Sequence, residues 1–559
     1  MLKRIKGWVP DVRSLLLAAA GGVLLVLAFP DFELWYLAWV ALVPLLAAVD
    51  REKASSRRAF TVGWIFGLVF FFGTCWWLTF APITYAGFPP LLAYFLLLIV
   101  CMIVGVFPGI FAAIMARLLR QFGPTAMLAA PFVWVFTEFL RYWLTGNNWN
   151  AIGYSQAFSG YGLKYAQIGG ILMTSVVVLI GSSFIAFVLS GRRQYLNDPR
   201  KAPIFIVVLY AFIGPLVFID SRAAEKAWEV PEVDVRLPIV ASIFVPMIFL
   251  TILSMIFASI YQFGSSSSES SDVSAKVVAI QPNVPMSGLT YEKWQKLRER
   301  HVRMAEAELA KLTTDNRELT TVIFPESPMN FMYESDRETQ EFIDGFARRN
   351  NVSVLFNSAE PNHADGKFFN SAVLVGPQGG EVAQYDKIYL VPFGEFVPEP
   401  LASVVPAFVG SFSQGQDYEL LPIGTGKAGV MICFESHFGQ LGREYVRGGA
   451  DVLIEMTNDG YLGPTPVLRQ HLANAVFRAV ETNRPLLRVT NVGITAYITE
   501  RGEVRDPAPV YREDTRVWTF ATSDGSQTFY VKYGDWFAWL SSLITLGLIG
   551  FALLPRFRS

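Results

Sequence analysis

The chain has 559 residues, of which 52% are hydrophobic and only 17% charged, with a net charge of −1. Soluble domains carry about 25% charged residues, so a purely soluble globule is a poor fit, and the near-zero charge argues against a nucleic-acid binder. The three cysteines, Cys75, Cys101 and Cys433, make no disulfide framework. The four histidines, His301, His363, His437 and His471, form no metal motif, so neither a metal nor another cofactor is expected.

The apolar residues are unevenly spread. Residues 1–263 read as a transmembrane helical region, 264–273 as a polar linker, 274–530 as a globular catalytic domain and 536–554 as a final transmembrane helix. The start, MLKRIKGW, precedes an apolar stretch as a signal peptide would, but further apolar runs follow at once, so it reads as the entry to a first span. A span needs roughly 20 apolar residues. The candidates are 14–29, 33–49, 60–80, 89–117, 124–145, 166–190, 203–219, 236–263 and 536–554. Basic loops at Lys3 to Arg13, Arg51 to Arg58, Arg117 to Arg120 and Arg192 to Lys201 fall after every second span, which the positive-inside rule places in the cytoplasm. Whether 236–263 crosses decides the side of the large domain. The ending with Arg556 and Arg558 favours a cytoplasmic C-terminus and therefore an external domain.

Two external loops stand out. Trp76, Trp77, Thr79 and Tyr85 lie at the mouth of one span. Glu138 and Arg141 follow Trp134 on one helical face and lead into Asn147-Asn148-Trp149 and Gly153-Tyr154-Ser155-Gln156. One reading is an aromatic interfacial belt with an in-membrane ion pair between Glu138 and Arg141. The other is a wall of substrate-contacting residues (Trp76, Trp77, Glu138, Arg141, Trp149 and Tyr154) beside an active site, since intramembrane charges are costly and often functional.

Beyond GSSSSESS at 264–271, strand-like stretches at 276–281, 320–325, 352–358, 371–375, 428–433, 452–457 and 486–490 alternate with helix-like stretches at 291–312, 336–349, 437–447 and 466–482. That rhythm predicts an α/β layered domain. Three residues sit at or just past element ends, where α/β sheets place their chemistry. Glu326 follows Thr321-Val322-Ile323-Phe324-Pro325, Lys387 follows Tyr385-Asp386, and Cys433 ends the apolar run from Ala428. A buried structural thiol is an equal reading of Cys433 alone. As a nucleophile it would need a base and a positive neighbour, which Glu326 and Lys387 could supply.

FPES at 324–327, YDKIYLVPFGEFVP at 385–398 and CFES at 433–436 resemble the nitrilase, or carbon–nitrogen hydrolase, superfamily. Five further segments extend the likeness to the bacterial apolipoprotein N-acyltransferase family: AFPDFELWYLAWVALVPLL at 28–46, GYSQ at 153–156, TNDGYLG at 457–463, RQHLANAVFRAVETNRPLLRVTNVGITAYI at 469–498 and GDWFAW at 534–539. The resemblance implies an αββα sandwich on a multi-span helical membrane region of the bacterial inner membrane, with the domain facing the periplasm. It implies a triad of Glu326 as general base, Lys387 as oxyanion support and Cys433 as nucleophile, with Glu395, Glu435 and Phe434 in support. The implied reaction moves an acyl chain from a phospholipid through a cysteine thioester to the α-amine of a diacylglyceryl-cysteine on an apolipoprotein, for which a monomer suffices. Departures from the family pattern are Phe434 for Tyr, Tyr461 for Trp, Asn147-Asn148 in a loop of different composition, and His437. A membrane-tethered amidase using the same triad, and a transporter with a regulatory domain, are the competing classes.

Overall fold

The computed structural model describes residues 7–160, 162–196, 273–312, 319–329, 331–397 and 412–554. The N-terminal part is helical: α1 Val12–Ala28, α2 Leu42–Glu52, α3 Ser56–Cys75, α4 Pro90–Val104, α5 Val106–Phe122, α6 Ala130–Thr145 and α7 Ala166–Leu196. Among the described residues four helical stretches are long and apolar enough to cross a membrane: Ser56–Thr84, Pro90–Thr145, Leu163–Gly191 and Trp536–Leu553. Helix α1, at 17 residues, is shorter.

The stretch 33–49, expected to span, does not form one helix. A 3-10 turn at Trp35–Trp39 precedes α2, whose 11 residues rise only about 16 Å. That is about half the thickness of a bilayer core. The expected span 89–117 is α4 and α5 in succession, meeting at Gly105 and packed antiparallel to α3. Gly63 and Gly67 of α3 permit the approach, since a Cβ at either would collide with Pro108. The expected stretches 203–219 and 236–263, most of the linker, and Arg556 and Arg558 lie outside the described residues.

Helix α7 breaks at Gly169-Gly170, where both residues leave helical geometry. Gly170 has φ +67, and a side chain there would strike the ring of Tyr530. The backbone N–H of Ile171, freed by the break, donates to Glu481 Oε1 at 2.9 Å. Freed backbone groups at membrane depth must find such partners.

The catalytic half is two sheets face to face with helices outside. The first has the order β13-β1-β2-β3-β4-β5, with the short β6 paired to β4; its strands are β1 Val273–Gln281, β2 Thr320–Ile323, β3 Ser353–Asn362, β4 Lys367–Val375, β5 Glu381–Asp386, β6 Phe412–Ser413 and β13 Asp514–Ala521. The second has the order β12-β11-β10-β9-β8-β7, built from β7 Leu420–Ile423, β8 Gly426–Ile432, β9 Val452–Thr457, β10 Leu486–Thr490, β11 Ala496–Ile498 and β12 Val504–Arg505. Helices α8 Tyr291–Leu309 and α9 Arg337–Asn350 flank the first sheet. Helices α10 Gly439–Arg447 and α11 Val467–Thr482 flank the second, and α12 Trp536–Leu553 returns to the membrane.

Side-chain alternation assigns the layers. Val277, Ala279, Leu355, Ala372 and Leu374 pack into the core shared with the second sheet. Val278, Ile280, Val354, Phe356, Val373 and Val375 pack with Leu297, Ile343 and Phe346 of α8 and α9. The sandwich is the αββα arrangement that the sequence resemblance implied.

Candidate active site

The two sheets bring their strand ends together. Glu326 lies just past β2 and Lys387 immediately past β5 in the first sheet; Cys433 follows β8 in the second. Strands β8, β9 and β10 run parallel, so their C-terminal ends open on the same side.

Lys387 is buried, and its Nζ donates to Glu395 Oε1 at 2.9 Å. The same oxygen accepts from Asn370 Nδ2 at 2.7 Å, and Glu395 Oε2 accepts from Val391 N at 2.7 Å. Asn370 Nδ2 also reaches Glu326 Oε1 at 3.3 Å, and Asn458 N donates to Glu326 Oε2 at 3.1 Å. The orientation of the Asn370 amide is set by Asn357 Nδ2, which donates to Asn370 Oδ1 at 2.7 Å. One amide on β4 thus bridges the two carboxylates.

The electrostatics follow from burial and neighbours. Burial pushes the Glu326 carboxyl up, and Lys387 pulls only part of that back. Burial alone would lower Lys387, but Glu395 and then Glu326 hold it raised and therefore cationic. Glu395 is disfavoured by burial yet ends lowered, because Lys387 stands against it. The Cys433 thiol is pushed well up by burial and by Glu326, so it rests protonated. The arrangement is a neutral thiol beside a carboxylate of increased basicity and a fixed cation.

Cys433 opens a 3-10 turn, Cys433–His437, with its backbone at φ +54. A non-glycine residue in this left-handed region is uncommon and needs support from its surroundings. Glu435 supplies part of it. Its Oε1 accepts from Tyr385 Oη, Ile388 N and Tyr389 N at 2.8, 2.7 and 3.0 Å, and its Oε2 from Ile432 N at 2.9 Å. Glu435 therefore ties the turn to the backbone just after Lys387; burial raises its carboxyl to about 7. Phe434 stacks on His437, with ring centroids 5.7 Å apart.

The membrane loops reach this turn. Asn148 N donates to His437 Nε2 at 3.0 Å, and the Trp149 ring lies 5.3 Å from that of His437. Gln470 Oε1, on α11, accepts from Trp77 Nε1 at 3.1 Å and Trp149 Nε1 at 3.0 Å, and the two indoles are 5.5 Å apart. Tyr154 is buried against Phe477 and His437. Trp76 is half-buried in the helical core.

Glu138 and Arg141 do not pair with each other. Glu138 Oε1 accepts from Trp134 Nε1 at 2.8 Å and Ile152 N at 2.9 Å. Arg141 donates to Trp149 O and Asn148 Oδ1, both at 2.9 Å, and lies over the Phe71 ring. The loop after α6 turns back over the helix, and its backbone polar groups need partners where water is scarce. Both side chains satisfy that loop instead of each other.

Glu455, Asp459, His471 and Arg488, all buried, were given no functional role from sequence. Arg488 of β10 faces Glu455 of β9 in register and pairs with it. For these two a signal was present, since Glu455 and Arg488 are each a lone charge inside an apolar strand. Asn370 carried no such signal.

The fold and site define a nitrilase-type catalytic domain mounted on membrane helices. Residues 281–526 match the carbon-nitrogen hydrolase family and residues 21–184 match the apolipoprotein N-acyltransferase N-terminal domain. The chain is similar over nearly its whole length to apolipoprotein N-acyltransferases and is an acyltransferase. It is 29% identical to the apolipoprotein N-acyltransferase of Geobacter metallireducens, over 94% of this chain and 93% of that protein. It is 27% identical to that of Pasteurella multocida, over 100% and 99%. Among solved structures, a carbon-nitrogen hydrolase from Helicobacter pylori aligns with 47% of this chain and 94% of its own, at 17% identity and a TM-score of 0.37.

Proposed function

We propose that the enzyme carries an acyl chain from a phospholipid, through a thioester on Cys433, to the N-terminal amine of an S-diacylglyceryl-cysteine on an apolipoprotein. The observation that carries this reading is the docking of the Cys433 turn onto membrane loops, through Asn148 and His437 and through Trp149. A nucleophile seated on a membrane region suits substrates that arrive from the bilayer.

In the first half, Cys433 Sγ attacks the donor ester carbonyl. Glu326 takes the thiol proton and gives it to the departing lysophospholipid oxygen as the C–O bond breaks. Lys387, held by Glu395, faces the oxyanion of the tetrahedral intermediate; losing such a donor costs about 3–4 kcal/mol, or roughly 10²–10³ in rate. In the second half the acceptor amine attacks the thioester, Glu326 accepts its proton, and the Cys433 thiol is restored. Glu395 and Glu435 hold the loop and the turn, and Phe434, Trp76, Trp77, Trp149 and Tyr154 border the lipid side. The enzyme acts as a monomer in the bacterial inner membrane with the domain toward the periplasm, a placement favoured by its basic loops.

The test is intact-protein mass after mixing with phospholipid and no acceptor. Wild type should gain one hydroxylamine-sensitive acyl group, and Cys433→Ala none. An equal adduct on the alanine protein would refute the mechanism. Release of free fatty acid by water, with no transfer to a diacylated lipopeptide, would point to a hydrolase instead.

A further inference from the structure

His471, on α11, lies behind the nucleophile turn. Its Nε2 is 3.0 Å from the carbonyl oxygen of Cys433 and 3.0 Å from Glu455 Oε1, and its Nδ1 is 2.7 Å from Asp459 Oδ1. Asp459 Oδ2 in turn accepts from Arg488 Nη2 at 2.7 Å, and Arg488 Nη1 pairs with Glu455 Oε2.

These contacts decide the protonation of the ring. A backbone carbonyl has no proton to give, so Nε2 carries one. Asp459 is ionised against Arg488, so Nδ1 carries one too. Burial would lower the imidazole, but Asp459 and Glu455 outweigh it and raise the group to about 9. His471 is therefore an imidazolium, and with Nε2 spent on a main-chain oxygen it cannot be the base for the thiol.

The oxygen it holds belongs to the peptide joining Cys433 to Phe434. That peptide is planar and trans, so fixing the carbonyl on His471 aims the Phe434 N–H the opposite way. Cys433 and Phe434 open the 3-10 turn, and the first N–H groups of a helical turn have no partner within it. A cationic donor on the carbonyl also polarises the amide and strengthens its N–H as a donor.

We infer that His471 is a positioning residue that orients and polarises the Cys433–Phe434 peptide, so that the Phe434 N–H joins Lys387 as a donor to the oxyanion. This rests on the reading of Cys433 as the acyl-carrying nucleophile. It also assigns a task to the buried Asp459 and Glu455, which keep the imidazolium charged against the opposing effect of burial and of Arg488, and to Arg488, which pairs with both carboxylates.

Two reactions of Cys433 in the full-length detergent-solubilised enzyme separate this role from a purely structural one. Acylation by phospholipid passes through an oxyanion. Alkylation by iodoacetamide forms the C–S bond by displacing iodide and builds none. His471→Ala should slow single-turnover acylation on the order of 10²-fold, through the rate constant and not the phospholipid concentration at half-saturation. Its alkylation rate at Cys433 should match wild type. His471→Gln, a neutral donor, should recover about a tenth of the wild-type acylation rate; it carries the test by the same two criteria if the alanine protein does not fold. Unchanged acylation, or an equal fall in acylation and alkylation, would overturn the inference. Failure of wild type itself to acylate Cys433 would instead sink the thioester reading.

Discussion

The Lys387 ammonium stands 2.9 Å from Glu395 Oε1, and both side chains are buried. Lys387 thereby keeps its charge where burial alone would strip it. Removing one partner of a buried pair leaves an uncompensated charge, at a cost of about 3–5 kcal/mol. Glu395→Gln should therefore lower both thermal stability and acylation rate, the latter by roughly 10- to 100-fold. Calorimetry and single-turnover acylation measure the two. A Glu395→Gln protein with wild-type turnover would show that the pair has no part in holding Lys387.

Glu326 has a carboxyl raised above its ordinary value by burial. A base must be ionised to act, so acylation should fall as the pH drops through that raised value. The rate–pH profile of thioester formation should show this acid limb in wild type, on a residual rate that Glu326→Gln lowers and flattens. An acid limb that persists unchanged in Glu326→Gln would assign it to another group.

Gln470 is the joint between membrane loops and domain. It accepts from Trp77 and Trp149 while its Nε2 donates to Thr74 O at 2.9 Å and Pro30 O at 3.3 Å. Gln470→Leu leaves these buried groups unpaired, at about 1–3 kcal/mol apiece. A drop in melting temperature and weaker saturation by phospholipid micelles should result, with iodoacetamide alkylation of Cys433 little changed. Unaltered stability in Gln470→Leu would mean that the two indoles are held by packing alone.

His471 also marks the stability profile. Its pKa rises from 6.5 to about 9 in the folded protein. A raised basic group contributes stability that is fully present below the unfolded value and is lost as pH climbs through the folded one. The wild-type melting temperature should therefore decline from about pH 6.5 to 9 more steeply than that of His471→Gln. Parallel profiles for the two proteins would exclude a charged His471.

A division of the chain and a candidate triad could be proposed from the amino-acid order alone. Apolar runs near bilayer length are read without knowing neighbours, because lipid contact is a property of each segment alone. Glu326 and Cys433 were legible because each stands at the end of a short apolar strand, and all three residues lie inside FPES, YDKIYLVPFGEF or CFES. The rest depended on contacts between distant segments. The brevity of α2 appears only where a 3-10 turn interrupts the apolar stretch before it. Helical spacing suggested a Glu138–Arg141 pair, but the folded-back loop offers both side chains closer partners in Ile152, Trp149 and Asn148. Asn370 is one asparagine among many until sheet register sets it between Glu326 and Glu395. His471 acquires its charge only when the β9–β10 pairing places Glu455 beside Arg488, and α11 lays the imidazole between Asp459 and the Cys433 carbonyl. Spacing along a chain constrains what one element can present, whereas hydrogen bonding and buried charge depend on which elements meet.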